Sequence, residues 1–340
     1  MTIRELRLAG SAGMAALLLA TLLLTTLLMQ TWPARCDEIV VGNFGVSANG
    51  MPYGVARAKG FFKEEGANVT GIITSAGGGT SLRNMMAGGV PFGEVNPGVV
   101  VAAVQQGADL KLIADTTLTV AEFAWAVRKD SPVKSIKDFN GRKIGYTNPR
   151  STSQGLGMLL LDKAGFKAAD AELVRTGGFG EGVAALDTGL VDVAPLPEPL
   201  LSQFQSKYRI VAKASELLPP LDNVVGVTTP NMAAQRGEFI RAVIRARRRA
   251  VAFMIANPDE AGDIVAKDYT LAPAVARAAV RNLTTSLTDG IPYWGTGQIH
   301  LAGLKRMIEV QRMVGAITGT VDYGKIIDTR FLPDDIKAIK

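Results

Sequence analysis

From residue 37 onward, short runs that are apolar at nearly every position alternate with stretches whose apolar residues recur every three or four positions. Ile39-Val40-Val41-Gly42-Asn43-Phe44 predicts a buried strand of the parallel type. Met51 to Glu65 predicts a helix with Tyr53, Ala56 and Phe61-Phe62 on its apolar side. Strand Val69 to Thr74, helix Thr80 to Ala87 and strand Val90-Pro91-Phe92-Gly93 follow, then helix Val99 to Gln106 and strand Leu110 to Ala114. A β-α-β-α-β-α-β order predicts an α/β fold, an open sheet with helices on both faces.

The same grammar restarts after Lys129-Asp130-Ser131-Pro132. Strand Lys143 to Tyr146 leads through Ser151-Thr152-Ser153 into a helix that ends near Ala164-Gly165-Phe166. Strand Glu172 to Arg175, the glycine-rich Gly177 to Gly182, helix Val183 to Thr188 and strand Val191 to Ala194 complete a second set. Two α/β lobes are the economical reading. Extended segments at 121–127 and 223–228 would carry the chain out to the second lobe and back, so two crossover strands would act as the hinge. The boundaries are then lobe 1 over 37–124, lobe 2 over 125–224, and the return to lobe 1 with C-terminal helices over 225–340. Those helices are expected at Phe239 to Ile255, Pro258 to Lys267, Pro273 to Leu283 and Gln298 to Met313.

One stretch, "SAGGGTSLRNMMAGGVPFGEVN" (Ser75 to Asn96), concentrates glycine and hydroxyls where a helix begins. Gly77, Gly78 and Gly79 permit close backbone approach, and Thr80 and Ser81 are suited to cap the helix. A helix N-terminus presents unpaired amide donors, which can hold an anion, a carboxylate or a carbonyl. Strand termination and simple capping account for the same residues.

The first 36 residues change what the bulk composition means. Arg4 and Arg7 precede an almost wholly apolar run from Met14 to Met29, and Ala34 and Cys36 take the small-residue positions before Asp37-Glu38. This is the order of a cleaved secretory signal peptide, with an uncleaved anchor as the rival. Arg35 before Cys36 argues against lipidation at that cysteine. Without these residues the formal charge falls from +6 to +4, so the basic balance partly belongs to the signal. The remainder is long enough for a large core divided between two lobes. Cys36 is the sole cysteine, which excludes disulfides and thiol catalysis in the exported part and fits a bacterial periplasm.

In order along the chain, "GVARAKGFFKEEGANV" (from Gly54), "GGGTSLRNMMAGGVPFG" (from Gly77), "QQGADLKLIA" (from Gln105), "DSPVKSIKDFNGRKIGY" (from Asp130), "LLLDKAGF" (from Leu159), "ALDTGLVDVAPLPEP" (from Ala185) and "NPDEAGDIVAK" (from Asn257) are similar to one family. The chain resembles the solute-binding proteins of ABC importers with the type II periplasmic-binding fold. Its nearest likeness is to the branch serving nitrate, sulfonates, taurine and thiamine-pyrimidine precursors. Pro91 departs from the family's pattern, which usually has Asp there, whereas Asp192 keeps the acid in the second lobe. The resemblance implies ligand-binding residues beyond the carboxyl ends of the strands. They would be Ser47, Asn49 and Tyr53; Gly79, Thr80 and Ser81; Ser151, Thr152 and Ser153; and Phe179. Closure would be a hinge motion at Trp125 and Val224 to Gly226.

Glu94 and Asn96, after the strand at Phe92, and Glu198, in a proline-rich turn, are candidate ligand contacts. Two acids in the cleft would repel a bare anion and favour a solute with N–H or O–H donors or positive character. A solvated loop and a helix cap are the plain alternatives. Tyr53, Trp125 and Phe179 would stack on a ring or simply pack in the core. Asp222 with Asn223 would contact ligand or shape a turn. The arginine run Arg241, Arg245, Arg247, Arg248 and Arg249 is expected to be a solvated helix face, or a permease contact, rather than a nucleic-acid surface. His300 has no nucleophile elbow to serve and no metal-ligand spacing around it. The expectation is a monomeric periplasmic protein with no catalysis, cofactor, metal or nucleic acid, which passes a small-molecule solute to a membrane permease. A ligand-binding sensor is the alternative, and an enzyme related to thiamine-pyrimidine synthases a more distant one.

Overall fold

The structure, a computed structural model, describes residues 37–339 except Ala76. The expected signal peptide, with Cys36, lies outside the described residues. The described residues form one compact unit. Among the described residues no helix is long and apolar enough to cross a membrane.

The chain opens with β1 (Asp37–Val41), whose side chains alternate between two cores. Ile39 and Val41 join one apolar cluster and Val40 another, as the two-residue strand period requires. Helix α1 (Met51–Ala58), strand β2 (Val69–Ile73), helix α2 (Gly78–Gly88), strand β3 (Gly93–Val95), helix α3 (Pro97–Gln105) and strand β4 (Lys111–Thr117) follow. The expected single helix from Met51 to Glu65 is interrupted at Gly60, whose φ of 76° lies in the left-handed region, and resumes as the short Phe61–Glu64.

From Thr117 the chain passes through 118–122 into β5 (Phe123–Arg128) and builds β6 (Lys143–Tyr146), α4 (Thr152–Lys163), β7 (Glu172–Arg175) and α5 (Phe179–Thr188). Then come β8 (Ala194–Pro197), α6 (Leu200–Phe204) and β9 (Tyr208–Lys213). It returns through 218–223 into β10 (Val224–Thr228). The remainder is α7 (Gly237–Ala256), α8 (Pro258–Asp268), α9 (Pro273–Thr285), the small hairpin β11 (Leu287–Thr288) and β12 (Ile291–Pro292), β13 (Trp294–Gly297) and α10 (Leu301–Met313).

The first sheet has the order β13-β4-β10-β3-β1-β2. β1 runs parallel to β2 and β3, whereas β10 runs antiparallel to β3 and β4. The second sheet, β8-β5-β9, is antiparallel about β5. Beside it lies the parallel pair β6–β7, joined through the bridge from Ile144 to Val193. The parallel pattern therefore gives way where β5 and β10 carry the chain out and back. Trp125 and Val224–Gly226, expected at the hinge, lie inside paired strands. The connections that run between the sheets are 118–122 and 218–223.

Phe92, Val243, Ile244 and Val251 fill one face of the first sheet, and Leu82, Val95, Val100 and Val227 the other. Trp125, Val127, Leu156 and Leu160 form the main core beside the second sheet. Helix α10 joins two of these cores. Leu304 and Ile308 pack with the first sheet, and Met307 and Val310 pack with the second.

Candidate functional site

After β1 the backbone leaves the sheet and makes a single 3-10 turn, Ala48–Gly50, before α1. Three side chains tie this turn down through backbone oxygens. Asn49 Nδ2 donates to Gly42 O at 3.1 Å, Tyr269 OH to Ser47 O at 3.0 Å, and Trp294 Nε1 to Ala48 O at 3.2 Å. Ser47 and Asn49 are thereby buried. One turn later, Tyr53 is fully buried with its ring 6.0 Å from that of Phe92, and its hydroxyl has no hydrogen-bond partner.

Tyr53 faces Glu94, which the sequence places after a strand and the structure places within β3. Glu94 is wholly buried and neither carboxyl oxygen has a partner at hydrogen-bond geometry. Burial pushes its pKa up to about 7, while Arg247, Thr116, Asn49 and Tyr53 pull it the other way. Glu122, in the outward connection, repeats the situation. Asn223 Nδ2 donates to its Oε1 at 2.8 Å, its Oε2 has no partner, and burial raises its pKa to about 7. The Tyr293 hydroxyl is buried without a geometric partner and lies within electrostatic reach of both glutamates. Buried polar atoms are nearly always hydrogen-bonded in folded proteins, so this concentration of unpartnered ones singles the group out as the candidate site.

Three helix starts meet nearby. Helix α2 begins at Gly78, with Gly77 in the N-cap position and no side-chain cap, so Thr80 and Ser81 are not the caps expected of them. Ser81 Oγ bonds Ser75 Oγ at 2.8 Å and Thr80 Oγ1 accepts from Arg83 Nη2, while Gly79 sits half-buried in the first turn. A Cβ on Gly78 would stand 3.6 Å from the backbone nitrogen of Asn96. Asn96 caps α3 by accepting from Gly98 N at 2.8 Å, so the capping alternative holds for it. The same side chain also reaches the second set of elements. Its Nδ2 donates to Thr152 Oγ1 at 2.9 Å and to Asn223 O at 3.1 Å, and Thr152 Oγ1 donates to Asn223 Oδ1 at 3.3 Å. Ser151 caps α4, and Ser153, bonded to Thr147 N and Oγ1, holds the preceding loop.

The remaining expected residues separate. Trp125 is entirely buried in the second core, with Phe123 at 6.4 Å and an unpartnered Nε1. Phe179 opens α5 rather than preceding it, and packs on Phe123 at 5.8 Å. Glu198 is satisfied inside the protein: it accepts from Ser202 N and Oγ at 3.1 Å each and from Asn282 Nδ2 of α9 at 2.7 Å. That last bond is a second link between the helical layer of the first sheet and the edge of the second. Asp222 faces His300 Nδ1 at 3.3 Å beside Asp115, at the start of α10, and not the group around Glu94.

Two residues escaped the sequence reading. Glu122 carries no local mark. Arg247 does not belong to the solvated arginine face: it is 2 % exposed, whereas Arg241, Arg245, Arg248 and Arg249 make ion pairs with partly exposed acids. Its spacing would have revealed it. Ile240, Val243 and Ile244, then Arg247, then Val251 and Met254, form one apolar stripe of α7, and Arg247 stands in the middle of it.

Residues 47–261 match the NMT1/THI5-like family model, and the chain belongs to that family. The riboflavin-binding protein RibY of Chloroflexus aurantiacus is 26 % identical over 300 residues, covering 83 % of this chain and 82 % of that protein. The aliphatic sulphonate binding protein SsuA of Escherichia coli superposes with a TM-score of 0.71 at 17 % identity, over 86 % of this chain and 92 % of that one. The desulfurization enzyme DSZB superposes with a TM-score of 0.63 at 14 % identity, over 87 % and 97 %. The fold is thus shared by binding proteins and by at least one enzyme.

Proposed function

We propose that this protein is an exported, monomeric binding protein that captures a small organic solute between its two sheets and delivers it to the permease of an ABC importer. The observation that carries this reading is the set of buried, unpartnered polar atoms on Tyr53, Glu94, Glu122 and Tyr293, next to the Asn96–Thr152 link between the two sets of elements. A solute is what would pair with them. The RibY relative and the sulphonate-binding neighbours support capture rather than turnover. Periplasmic residence rests on the signal-like first 36 residues.

The solute is a donor-bearing ring compound on this reading. Glu94 and Glu122 offer three unpartnered carboxyl oxygens, and tyrosine rings flank them. On this reading the second glutamate of the site is Glu122, whose Oε2 is unpartnered, in place of the expected Glu198, whose oxygens are already paired. Thr80, Asn96 and Thr152 line the helix starts on either side.

Thermal-shift screening against riboflavin, aminopyrimidines, aromatic carboxylates and sulfonates tests the proposal. A ligand at 100 times its Kd adds about 2.7 kcal/mol of stability. Glu122→Gln is expected to weaken the successful ligand at least tenfold in calorimetry with the fold intact. A panel in which no solute raises Tm would defeat the proposal.

A further inference from the structure

Arg247 is held from both sides by backbone. Its Nη1 donates to Gly295 O at 2.7 Å, next to Trp294 of β13, and its Nη2 donates to Thr116 O at 2.5 Å on β4. The Tyr53 ring lies 5.6 Å from the guanidinium carbon. With two nitrogens engaged by the strands below, the guanidinium cannot slide towards Glu94. Its Nε–H makes no hydrogen bond, and Glu94 Oε1 stands 3.8 Å away, at ion-pair distance but beyond hydrogen-bond reach. Glu94 is equally fixed, since β3 is paired on both sides by β1 and β10. The fold thus keeps a donor and an acceptor side by side, buried and apart.

We infer that Glu94 and Arg247 together read one edge of the solute, an N–H adjacent to a C=O, as in a lactam, an imide or a ureide. The solute's carbonyl accepts from Arg247 Nε–H and its N–H donates to a Glu94 oxygen. A sulfonate or nitrate offers acceptors only, so its oxygens would face the Glu94 carboxyl across the site, with Glu122 adding a second acid. A simple ammonium offers donors only and would leave Arg247 Nε unserved. An edge carrying both groups satisfies both side chains at once, and sites built on such buried pairing discriminate strongly against analogues that lack one partner. This specifies the solute of the proposed capture site and rests on that reading.

The test is calorimetry on protein exported and purified from the full-length chain, using matched pairs: riboflavin with 3-methylriboflavin, and uracil with 1,3-dimethyluracil, which has no N–H beside a carbonyl, alongside taurine and MOPS. Binding of an unblocked ring, weakened about tenfold or more by the N-methyl group, supports the inference. Arg247→Lys, which keeps the charge and removes the Nε–H, should weaken the unblocked ring by a similar factor and narrow its advantage over the methylated one. The methylation comparison needs no variant, so it stands even where the substitution impairs folding. Equal binding of both members of a pair, or tight binding of taurine or MOPS, overturns the inference. So does the discovery of a tight ligand without such an edge, which would leave solute capture itself standing. If no solute of any class binds, both readings fall.

Discussion

A carboxyl group sealed inside protein with neither oxygen hydrogen-bonded weakens the fold that contains it where neighbouring groups offset the desolvation of its charge only in part. Glu94 is such a group, and its cost has a definite pH signature. In the unfolded chain its pKa is the ordinary 4.5, and in the folded protein it is about 7. Below pH 4.5 both states hold the proton and there is no penalty. As pH rises from 4.5 through 7 the unfolded state loses the proton first, so stability falls, and above 7 the loss is complete at on the order of 3 kcal/mol. Glu122 behaves with the same sign. Ligand-free protein carrying Glu94→Gln should therefore gain in Tm over the parent at pH 8 and gain far less at pH 5. Parallel Tm profiles for the two proteins across that range would show that Glu94 is not buried as an uncompensated acid. At this scale the sequence marked part of the proposed site. Asn49, Tyr53 and Asn96 follow strands and were visible by position, and Glu94, expected just after a strand, lies within β3. Glu122 was not, because its burial comes from Asn223, Tyr293 and the Ala48 turn, all distant in the chain.

Elements were legible where local pattern and tertiary contact agree, and they shifted where contacts set the boundary. Helix α7 and helices α8 and α9 lie within a few residues of their expected ends, since apolar spacing and Pro258 or Pro273 at the start mark them locally. Strand β3 lies further on than expected because pairing with β1 and β10, and not the apolar run at Phe92, decides which residues are extended. Helix α10 shows an element tied to both cores, and its start is unusually constrained. Gly303 packs so closely that a Cβ would lie 2.1 Å from Asp222 Oδ1 and 2.7 Å from His300 Nδ1. Asp115 accepts from His300 N at 3.2 Å in the same group, and burial beside Asp115 raises the Asp222 pKa. Gly303→Ala must then displace either a buried carboxyl or the helix, and overpacking of this kind costs about 1–3 kcal/mol. Chemical denaturation should show that loss with an unchanged m-value. A neutral substitution would mean that the start of α10 is looser than its packing indicates.

For the whole molecule, the alternation of strand and helix foretold two sheets with an outward and a return crossing, yet it contained nothing about how the sheets are held against each other. That is carried by side chains far apart in sequence. Asn96 donates to Thr152 at 2.9 Å on one side, and Asn282 donates to Glu198 at 2.7 Å on another. Beside the connections 118–122 and 218–223 and α10, these bonds, with the 3.3 Å bond from Asn282 Nδ2 to Ser202 Oγ, are polar ties between the two sheets that would have to loosen for a solute to enter. A hydrogen bond to a neutral group contributes about 1 kcal/mol net and one to a carboxylate somewhat more. Removing them with Asn96→Ala and Asn282→Ala should shift the balance between closed and open forms by about 2 kcal/mol, close to 30-fold. If the closed form is only modestly favoured without solute, the doubly substituted protein will be mainly open, with a larger radius of gyration in small-angle scattering than the parent. Saturating solute should restore the compact value, because a ligand pairing with Glu94 and Glu122 binds the closed form preferentially. An unchanged radius with and without solute, in both proteins, would mean that the two sheets form one rigid body and that solute enters by some route other than hinged opening.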